Sequence, residues 1–287
     1  MDVIKLSIIT PVFNNERFIE ECIKNVIEQR CPEAEHIIID GASSDKTVGI
    51  IRRYAEKYPH IRWISEKDTG QADAMNKGIL MAKGRIISIL NADDFYEPHV
   101  LNEILNIFES IPEPSLVVGN LNIWDDEEKI AGVNKPKKLK FEDLMLWWGI
   151  NPAPMNPSSY FYHKSLHQKT GMYDVNLQYS MDTDFLLKAV QEANVKYIDK
   201  VWGNCRYIKG SKTFENPGFR EHPYIFGKYR GQLPLFQRWC ATIMYMYSRS
   251  VLRRKIKHYY SRFIYYIRNP REAVRYMKKM VQVGKRQ

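Results

Sequence analysis

Short apolar runs rich in β-branched residues alternate with stretches of helical periodicity along the first two fifths of the chain. The runs that begin at Leu6, His36, Ile61 and Arg85 have the length and composition of buried strands. Each is followed by apolar residues at intervals of three and four, which is typical of an amphipathic helix. This alternation predicts an α/β fold with a largely parallel, doubly wound sheet.

The pattern becomes less regular in the second half. The segments Leu116–Asn120 and Tyr160–Tyr162 predict two further strands. Between them, Asn151–Ser159 contains too many prolines for regular structure. A long loop of this kind near a cleft is often a binding segment.

Each predicted strand of the first half delivers a polar residue at its carboxyl end. These residues are Asn14, Asp40, Asp68 and Asp93. In an open α/β sheet, ligands gather at the carboxyl ends of the strands. The repetition therefore predicts a single cleft at this edge.

The strand that begins at Arg85 ends in two adjacent carboxylates, Asp93 and Asp94. Such a pair can hold a hard divalent cation, which commonly binds substrate phosphates as well. A helix cap is the alternative for Asp93, because a helix begins near Pro98. The two interpretations are equally good for the Asp-Asp pair alone, and the other polar strand ends favour the metal.

Glycine-rich phosphate loops are missing where two common nucleotide-binding classes need them. The turn after the first strand, Pro11–Asn15, contains no glycine, which excludes a dinucleotide-binding fingerprint. There is also no glycine-lysine loop of the P-loop type. Phosphates are therefore expected to rest on a metal ion.

Charge divides the chain into two unequal parts. Of 43 Lys and Arg and 33 Asp and Glu, residues 238–287 hold fourteen basic residues and one acid, Glu272. The preceding 237 residues hold the remaining 29 basic and 32 acidic groups and are close to neutral. Such a cationic tail predicts an anionic surface as its partner.

The cysteines and the hydropathy indicate the compartment. Cys22, Cys31, Cys205 and Cys240 show no paired metal-ligand spacing and are expected to be free thiols in a reducing compartment. No secretory signal and no run of about 18 apolar residues is visible. We therefore expect a cytoplasmic protein without a membrane-spanning helix.

Four motifs in this order resemble family 2 glycosyltransferases: Thr10–Asn14, Asp40–Asp45, Asp68–Gly78 and Leu90–Asp94. The resemblance covers about Lys5 to Lys212 and points to the inverting type that builds bacterial surface polysaccharides. It implies the GT-A fold, a Rossmann-like, mostly parallel sheet flanked by helices. It also implies a nucleotide-sugar donor, with UDP as the expected nucleotide, a divalent cation (Mn²⁺ or Mg²⁺), and a saccharide or polyprenyl-linked glycan as acceptor.

The resemblance assigns roles to individual positions. Donor binding falls on Pro11, Phe13, Asn14, Asp40, Ser43, Asp68, Gln71, Asp73, Asn76, Asn91, Ala92 and Asp93. Metal ligation falls on Asp93 and Asp94. The D-x-D motif of the family reads Asn91-Ala92-Asp93 here, so an amide replaces the first carboxylate. A basic loop that includes Arg206 could close over the diphosphate, or it could simply be solvated.

Asp182 is the candidate general base. It stands at the start of a predicted helix, where a capping aspartate is the alternative interpretation. By resemblance it matches the second acid of the family's acceptor motif, although Met181 replaces the usual preceding glutamate. An inverting transfer needs one carboxylate to deprotonate the acceptor. Asp184 is expected to be structural.

These assignments imply a catalytic domain over residues 1–215, with a nucleotide-sugar half (1–115) and an acceptor half (116–215). A basic, helical C-terminal tail (216–287) follows. Its apolar residues from Leu252 to Ile267 fall on one helical face, which suits an anionic membrane and a peripheral position at the inner face of the cell membrane. Packing on the catalytic domain is the alternative, and no motif supports nucleic-acid binding. The alternative function is a non-catalytic membrane- or polyanion-binding protein that keeps a nucleotide-sugar fold.

Overall fold

A computed structural model describes residues 3–146, 152–209 and 221–249. The chain divides into two compact units, Met1–Leu233 and Pro234–Gln287. The first unit extends past the expected boundary at residue 215, because residues 222–229 form a helix that buries Ile225, Phe226 and Tyr229. The expected apolar face from Leu252 to Ile267 lies outside the described residues.

Strands and helices alternate through the first unit. The strands are β1 (Leu6–Val12), β2 (Ala34–Asp40), β3 (Ile61–Ser65), β4 (Ile86–Ile89), β5 (Phe95–Tyr96), β6 (Ser115–Trp124), β7 (Ile130–Asn134), β8 (Tyr160–His163) and β9 (Asn194–Arg206). The helices are α1 (Ile19–Glu28), α2 (Thr47–Lys57), α3 (Gln71–Met81), α4 (Val100–Glu109), α5 (Phe141–Met145), α6 (Leu166–Thr170), α7 (Met181–Glu192) and α8 (His222–Tyr229), with α9 (Leu235–Arg249) in the second unit. Short 3₁₀ turns occupy Pro157–Ser159 and Arg230–Gln232.

The described strands form one nine-stranded sheet in the order β3-β2-β1-β4-β8-β6-β9-β5, with β7 paired to β6. The four strands predicted from the first half are neighbours, and all of their pairings are parallel. Strands β6 and β9 run in the same direction as these four, so six of the nine described strands are co-directional. The predicted α/β, mostly parallel sheet flanked by helices is confirmed.

Strand β8 runs against its neighbours β4 and β6. Its amino end therefore lies at the same edge as the carboxyl ends of β1 to β4. The loop before it, which includes Asn156, and its first residue, Tyr160, consequently arrive at the edge where the cleft was predicted.

Two apolar groups pack between α1 and the same side of this sheet. One buried group includes Leu6, Ile86 and Trp202, and a second includes Ile23, Ile38 and Ile51. Helix α3 packs close to β1 at Gly78, where a Cβ atom would collide with the side chain of Ile9. This close packing fixes the amino end of α3 near the end of β1.

Strand β9 was not predicted from the sequence. Its first eight residues are exposed or half-buried and carry no apolar run, and only Trp202 to Asn204 are buried. Within the described residues, no helix is long and apolar enough to cross a membrane. All four cysteines are free thiols, as expected.

Candidate active site

The end of β2 supplies a buried carboxylate. Asp40 lies opposite Val12 of β1 and Ser65 of β3, and its side chain is fully buried. It accepts hydrogen bonds from the Ser43 N–H (3.0 Å), the Ser43 hydroxyl and the Ser65 hydroxyl (2.7 Å). Since a buried carboxylate is costly unless it is hydrogen-bonded, these donors keep Asp40 in place.

The loop after β1 interlocks with the loop after β2. The N–H of Asn14 donates to the Ser43 hydroxyl over 2.7 Å, and its Oδ1 accepts the N–H of Ser44 at 2.8 Å. Asn14 has a left-handed backbone (φ 46°), a conformation that asparagine tolerates. Pro11 is buried within β1, whereas 63% of the Phe13 side chain is exposed. The two loops therefore form one continuous wall, on which the aromatic ring of Phe13 is exposed to solvent.

Asp68 lies against the Asp40 loop. A Cβ atom on Gly41 would come within 2.6 Å of its Oδ2, so a larger residue there would displace the Asp68 carboxylate. The Gly70 N–H donates to Asp68 Oδ1 over 2.9 Å, while burial raises the pKa of this carboxyl. Asp73, one turn into α3, accepts the N–H of Thr69 at 3.1 Å.

Asn76, which is predicted to bind the donor, contacts the backbone of Tyr173. Its Nδ2 donates to the Tyr173 carbonyl, and its Oδ1 accepts the Tyr173 N–H, both over 2.9 Å. This pair of bonds ties the 171–174 turn to α3. The structure thus gives Asn76 a positioning contact with Tyr173.

A chain of amide and carboxylate groups crosses the end of β4. Gln71 Nε2 donates to Asn91 Oδ1 over 2.8 Å, and Asn91 Nδ2 donates to Asp94 Oδ2 over 2.8 Å. Asn156 Nδ2 reaches the same Asp94 oxygen at 2.7 Å. Asn91 therefore links the amino end of α3 to the predicted metal site. Ala92, the residue between Asn91 and Asp93, is buried.

Burial dominates the electrostatics of the two carboxylates. Asp94 is 3% exposed, and burial followed by the Asp93 charge raises its pKa well above the ordinary value despite the amide donors. Burial also raises the pKa of Asp93, and the Arg206 guanidinium opposes this shift. Two adjacent carboxylates in this environment gain from a nearby positive charge.

Arg206 is already engaged beside Asp93. Its Nη1 donates to the Asp93 carbonyl over 2.7 Å, and its Nη2 pairs with Glu21 at 2.6 Å. The guanidinium carbon lies 5.0 Å from the ring centre of Phe18 and 4.9 Å from that of Phe95. These contacts hold Arg206 against the turn that carries Asp93.

The carboxylate oxygens of Asp93 and Asp94 fit a divalent cation whose remaining ligands are substrate phosphates. No cluster of three or more His, Cys, Asp or Glu side chains occurs among residues 3–146, 152–209 and 221–249. Mg²⁺ and similar ions are commonly held by only one or two carboxylates plus substrate phosphates. Because Asp94 already accepts two amide donors, Asp93 is the better ligand of the pair.

Asp182 lies in the first turn of α7 and is half-buried. The Tyr160 hydroxyl, at the start of β8, donates to Asp182 Oδ1 over 3.3 Å. Burial, and next the Asp182 charge, raise the pKa of Tyr160 well above its ordinary value, so the phenol remains a proton donor. Beneath them, Phe185 packs against Tyr162 (ring centres 4.7 Å apart) and Tyr173 (4.9 Å), which fixes the helix.

Asp184 has the structural role that was expected. It is 1% exposed and pairs with Lys188 and Lys228, each at 2.6 Å, while the Tyr229 hydroxyl donates over 2.8 Å. Burial would raise its pKa, but the two ammonium groups and the phenol hold that pKa below the ordinary value. Asp184 thereby joins α7 to α8.

Glu221 makes a second connection to α7 that the sequence did not reveal. Its Oε1 accepts the Gln178 N–H at 2.7 Å. Its Oε2 accepts the N–H groups of Tyr179 (2.9 Å) and Ser180 (2.7 Å). The carboxylate thus holds the segment that leads into Asp182. Asn156, Tyr160 and Glu221 were not assigned to the site, because each depends on the direction of β8 or on a contact distant in sequence.

The sequence is similar to those of known proteins over most of the first unit. An uncharacterised glycosyltransferase of Methanocaldococcus jannaschii is 28% identical over 193 residues, covering 66% of this chain and 66% of its own length. Chondroitin synthase of Escherichia coli is 26% identical over 212 residues, covering 72% of this chain and 29% of its own. The chain thus spans two thirds or less of the length of these relatives.

Solved structures share the fold at low identity. S. aureus TarS in complex with UDP-GlcNAc superimposes with a TM-score of 0.59 at 18% identity, covering 72% of this chain and 60% of that chain. Mannosyltransferase PcManGT from Pyrobaculum calidifontis, in complex with GDP-Man and Mn²⁺, gives 0.57 at 17% identity, covering 91% and 81%. The model of the family described as glycosyl transferase family 2 matches residues 7–171. Since this match covers more than half of the sequence, the chain belongs to glycosyl transferase family 2.

Proposed function

We propose that this protein transfers a sugar from a nucleotide-sugar, with UDP as the expected nucleotide, to a saccharide or polyprenyl-linked glycan with inversion at the anomeric carbon. The reaction serves cell-surface polysaccharide synthesis at the inner face of the cell membrane. One observation carries the proposal: the bond between Asn156 and Asp94 joins half-buried Asp93 and buried Asp94 to the loop before β8, and the first residue of β8, Tyr160, contacts Asp182. A nucleotide wall, a cation site and a base thus share one sheet edge.

The wall formed by the Asn14 and Ser43 loops binds the nucleoside. The exposed ring of Phe13 packs against the base, and Asp40 with Ser43 offers polar groups to the base edge or the ribose. Asp68, Gln71 and Asp73 line the path from this wall to Asn91. The complexes of TarS with UDP-GlcNAc and of PcManGT with GDP-Man support a nucleotide-sugar of this general form.

Asp93 would hold the divalent cation, together with the adjacent Asp94. A Mn²⁺ or Mg²⁺ bound there would supply positive charge that stabilises the leaving diphosphate. The Mn²⁺ in the PcManGT complex supports this assignment. Arg206 fixes the backbone of Asp93, so the carboxylate is preorganised for the cation.

Asp182 acts as the general base. An acceptor hydroxyl attacks the anomeric carbon from the side opposite the diphosphate and gives its proton to the Asp182 carboxylate. The new C–O bond forms while the bond to the diphosphate breaks, and the leaving nucleoside diphosphate takes the electron pair. The Tyr160 hydroxyl occupies Asp182 Oδ1 and so orients the carboxylate for this transfer.

A donor screen tests the proposal. The full chain is incubated with UDP- and GDP-sugars and a panel of saccharide and polyprenyl-linked acceptors, with Mn²⁺ or Mg²⁺, and release of the nucleoside diphosphate is measured with and without chelator. We expect turnover of one donor class that the chelator abolishes and that Asp93→Asn reduces by about 100-fold or more. The control Glu127→Gln, on the exposed β6–β7 turn, should retain full activity.

Two outcomes would contradict the proposal. Tight nucleotide binding by the folded wild-type chain without any turnover would favour the non-catalytic alternative. Full, chelator-sensitive turnover by Asp93→Asn would remove Asp93 from the cation site.

A further inference from the structure

The outward side of α9 is entirely apolar. Between residues 235 and 246, every residue that the structure leaves exposed is large and hydrophobic. These residues are Leu235 (80% exposed), Phe236 (74%), Trp239 (64%), Ile243 (44%) and Met246 (65%). The polar residues of the same turns, Gln237, Arg238 and Thr242, are only partly accessible. This is the reverse of the usual arrangement for a surface helix.

The five residues lie on one side of the helix. At about 100° per residue, they fall within an arc of roughly 100°. Ala241, which is fully buried, lies on the opposite side. The helix therefore has one covered side and one apolar side in contact with solvent. A contiguous apolar patch of this kind marks an interaction surface.

Charge indicates what the patch contacts. Helix α9 contains no Asp or Glu, and residues 250–287, which follow it, hold twelve Lys and Arg against Glu272. A second copy of the chain would bring two such cationic segments together, which costs electrostatic energy. An anionic lipid surface instead complements the charge and accepts the apolar side chains.

We propose that the apolar side of α9, defined by Leu235, Phe236, Trp239, Ile243 and Met246, inserts into the surface of an anionic membrane with the helix parallel to the bilayer plane. Among residues 221–249, no helix is long and apolar enough to span the hydrocarbon core, which suits an in-plane orientation. The positive charge of residues 250–287 favours the same anionic surface. This surface is independent of the proposed transfer reaction, because membrane binding needs no sugar donor.

Vesicle sedimentation of the full-length protein tests the proposal. The vesicles are phosphatidylcholine alone, or phosphatidylcholine with phosphatidylglycerol. The variant carries Phe236→Ser and Trp239→Ser, and the control is Leu80→Ser, which removes an equally exposed apolar side chain (75%) from α3. Because all three side chains are exposed, we expect each protein to keep the wild-type melting temperature.

The wild type and Leu80→Ser should sediment with the anionic vesicles, and part of this binding should persist at high salt. The double variant should bind at least about 10-fold more weakly, because it lacks the two aromatic side chains that insert into the membrane. Equal binding by the double variant and the wild type would overturn the proposal, as would a folded wild type that ignores anionic vesicles. A lipid-free dimer that the double variant dissociates would also overturn it and assign the face to self-association.

Discussion

The side-chain amide of Asn156 lies 2.7 Å from Asp94 Oδ2 and joins the loop before β8 to the turn after β4. The other end of this amide, Oδ1, accepts the N–H of Ser158 at 2.9 Å and the Ser158 hydroxyl at 2.7 Å. One side chain therefore orders both the 3₁₀ turn and the buried carboxylate beside the cation site. This bond connects segments that lie 62 residues apart in the sequence.

The variant Asn156→Asp distinguishes the bond to Asp94 from the bonds that Ser158 donates. Asn156→Asp keeps the acceptor for Ser158 but places a second carboxylate against Asp94. We expect the free energy of unfolding to fall by about 1–3 kcal/mol at pH 7, because a buried acceptor loses its donor. Protonation at pH 5 should recover part of the loss, since one of the two acids becomes a donor again.

Urea unfolding at the two pH values checks this expectation. Asn176→Ala is the matched control, because its amide contacts only the exposed turn at Asp174, and its effect should stay within about 0.5 kcal/mol. A loss for Asn156→Asp that is equally small at both pH values would show that the bond to Asp94 contributes little.

Local patterns were sufficient to predict that Asp40 and Asp93 lie at the same edge of the sheet. Asp40 and Asp93 follow apolar runs that can only be buried strands, and parallel strands bring their carboxyl ends to one edge. The positions of Asn156 and Tyr160 were not predictable, because they depend on β8 running antiparallel. Glu221 was assigned to the tail, since a contact between residues 221 and 178–180 leaves no periodic trace in the sequence.

Glu221 positions the entry to α7, and Glu221→Gln tests this role. An amide offers one acceptor oxygen where the carboxylate offers two, so at least one of the three N–H bonds is lost. We expect a loss of about 1–3 kcal/mol in stability and a several-fold lower kcat, because Asp182 lies two residues after Ser180. The KM for the donor should not change, since the nucleotide wall is formed by other elements.

Glu192→Gln is the control at the far end of α7, where Glu192 pairs with Lys169 at the surface. It should leave both kcat and stability close to wild type. A Glu221→Gln variant with wild-type kcat would show that the clamp does not position the base.

His36 should make the folded state sensitive to acid. The ring is fully buried, its Nε2 lies 2.8 Å from the Thr10 hydroxyl, and burial, with a small effect of His60, lowers its pKa to about 3. A histidine whose folded pKa is depressed contributes stability above its unfolded pKa of about 6.5. This contribution is lost, by up to about 1.4 kcal/mol per pH unit, as the pH falls from about 6.5 towards 3.

His36→Gln retains a hydrogen-bonding group for Thr10 but cannot take up this proton. We expect its unfolding free energy, measured in urea between pH 7 and pH 4, to decline less steeply than that of the wild type. His99→Asn, at an exposed histidine, should keep the wild-type slope. Identical slopes for His36→Gln and the wild type would contradict the effect of burial.

The central claim, that Asp182 deprotonates the acceptor, is tested most directly by comparing turnover, donor affinity and stability in Asp182→Asn. Asparagine keeps the shape and can still accept the Tyr160 hydroxyl, but it is not a base. With the donor and acceptor found by the screen, we expect turnover to fall by about 100-fold or more, while the calorimetric Kd for the donor and the melting temperature remain near wild type. Wild-type turnover together with a lower melting temperature would contradict the account and leave Asp182 with a structural role in the first turn of α7.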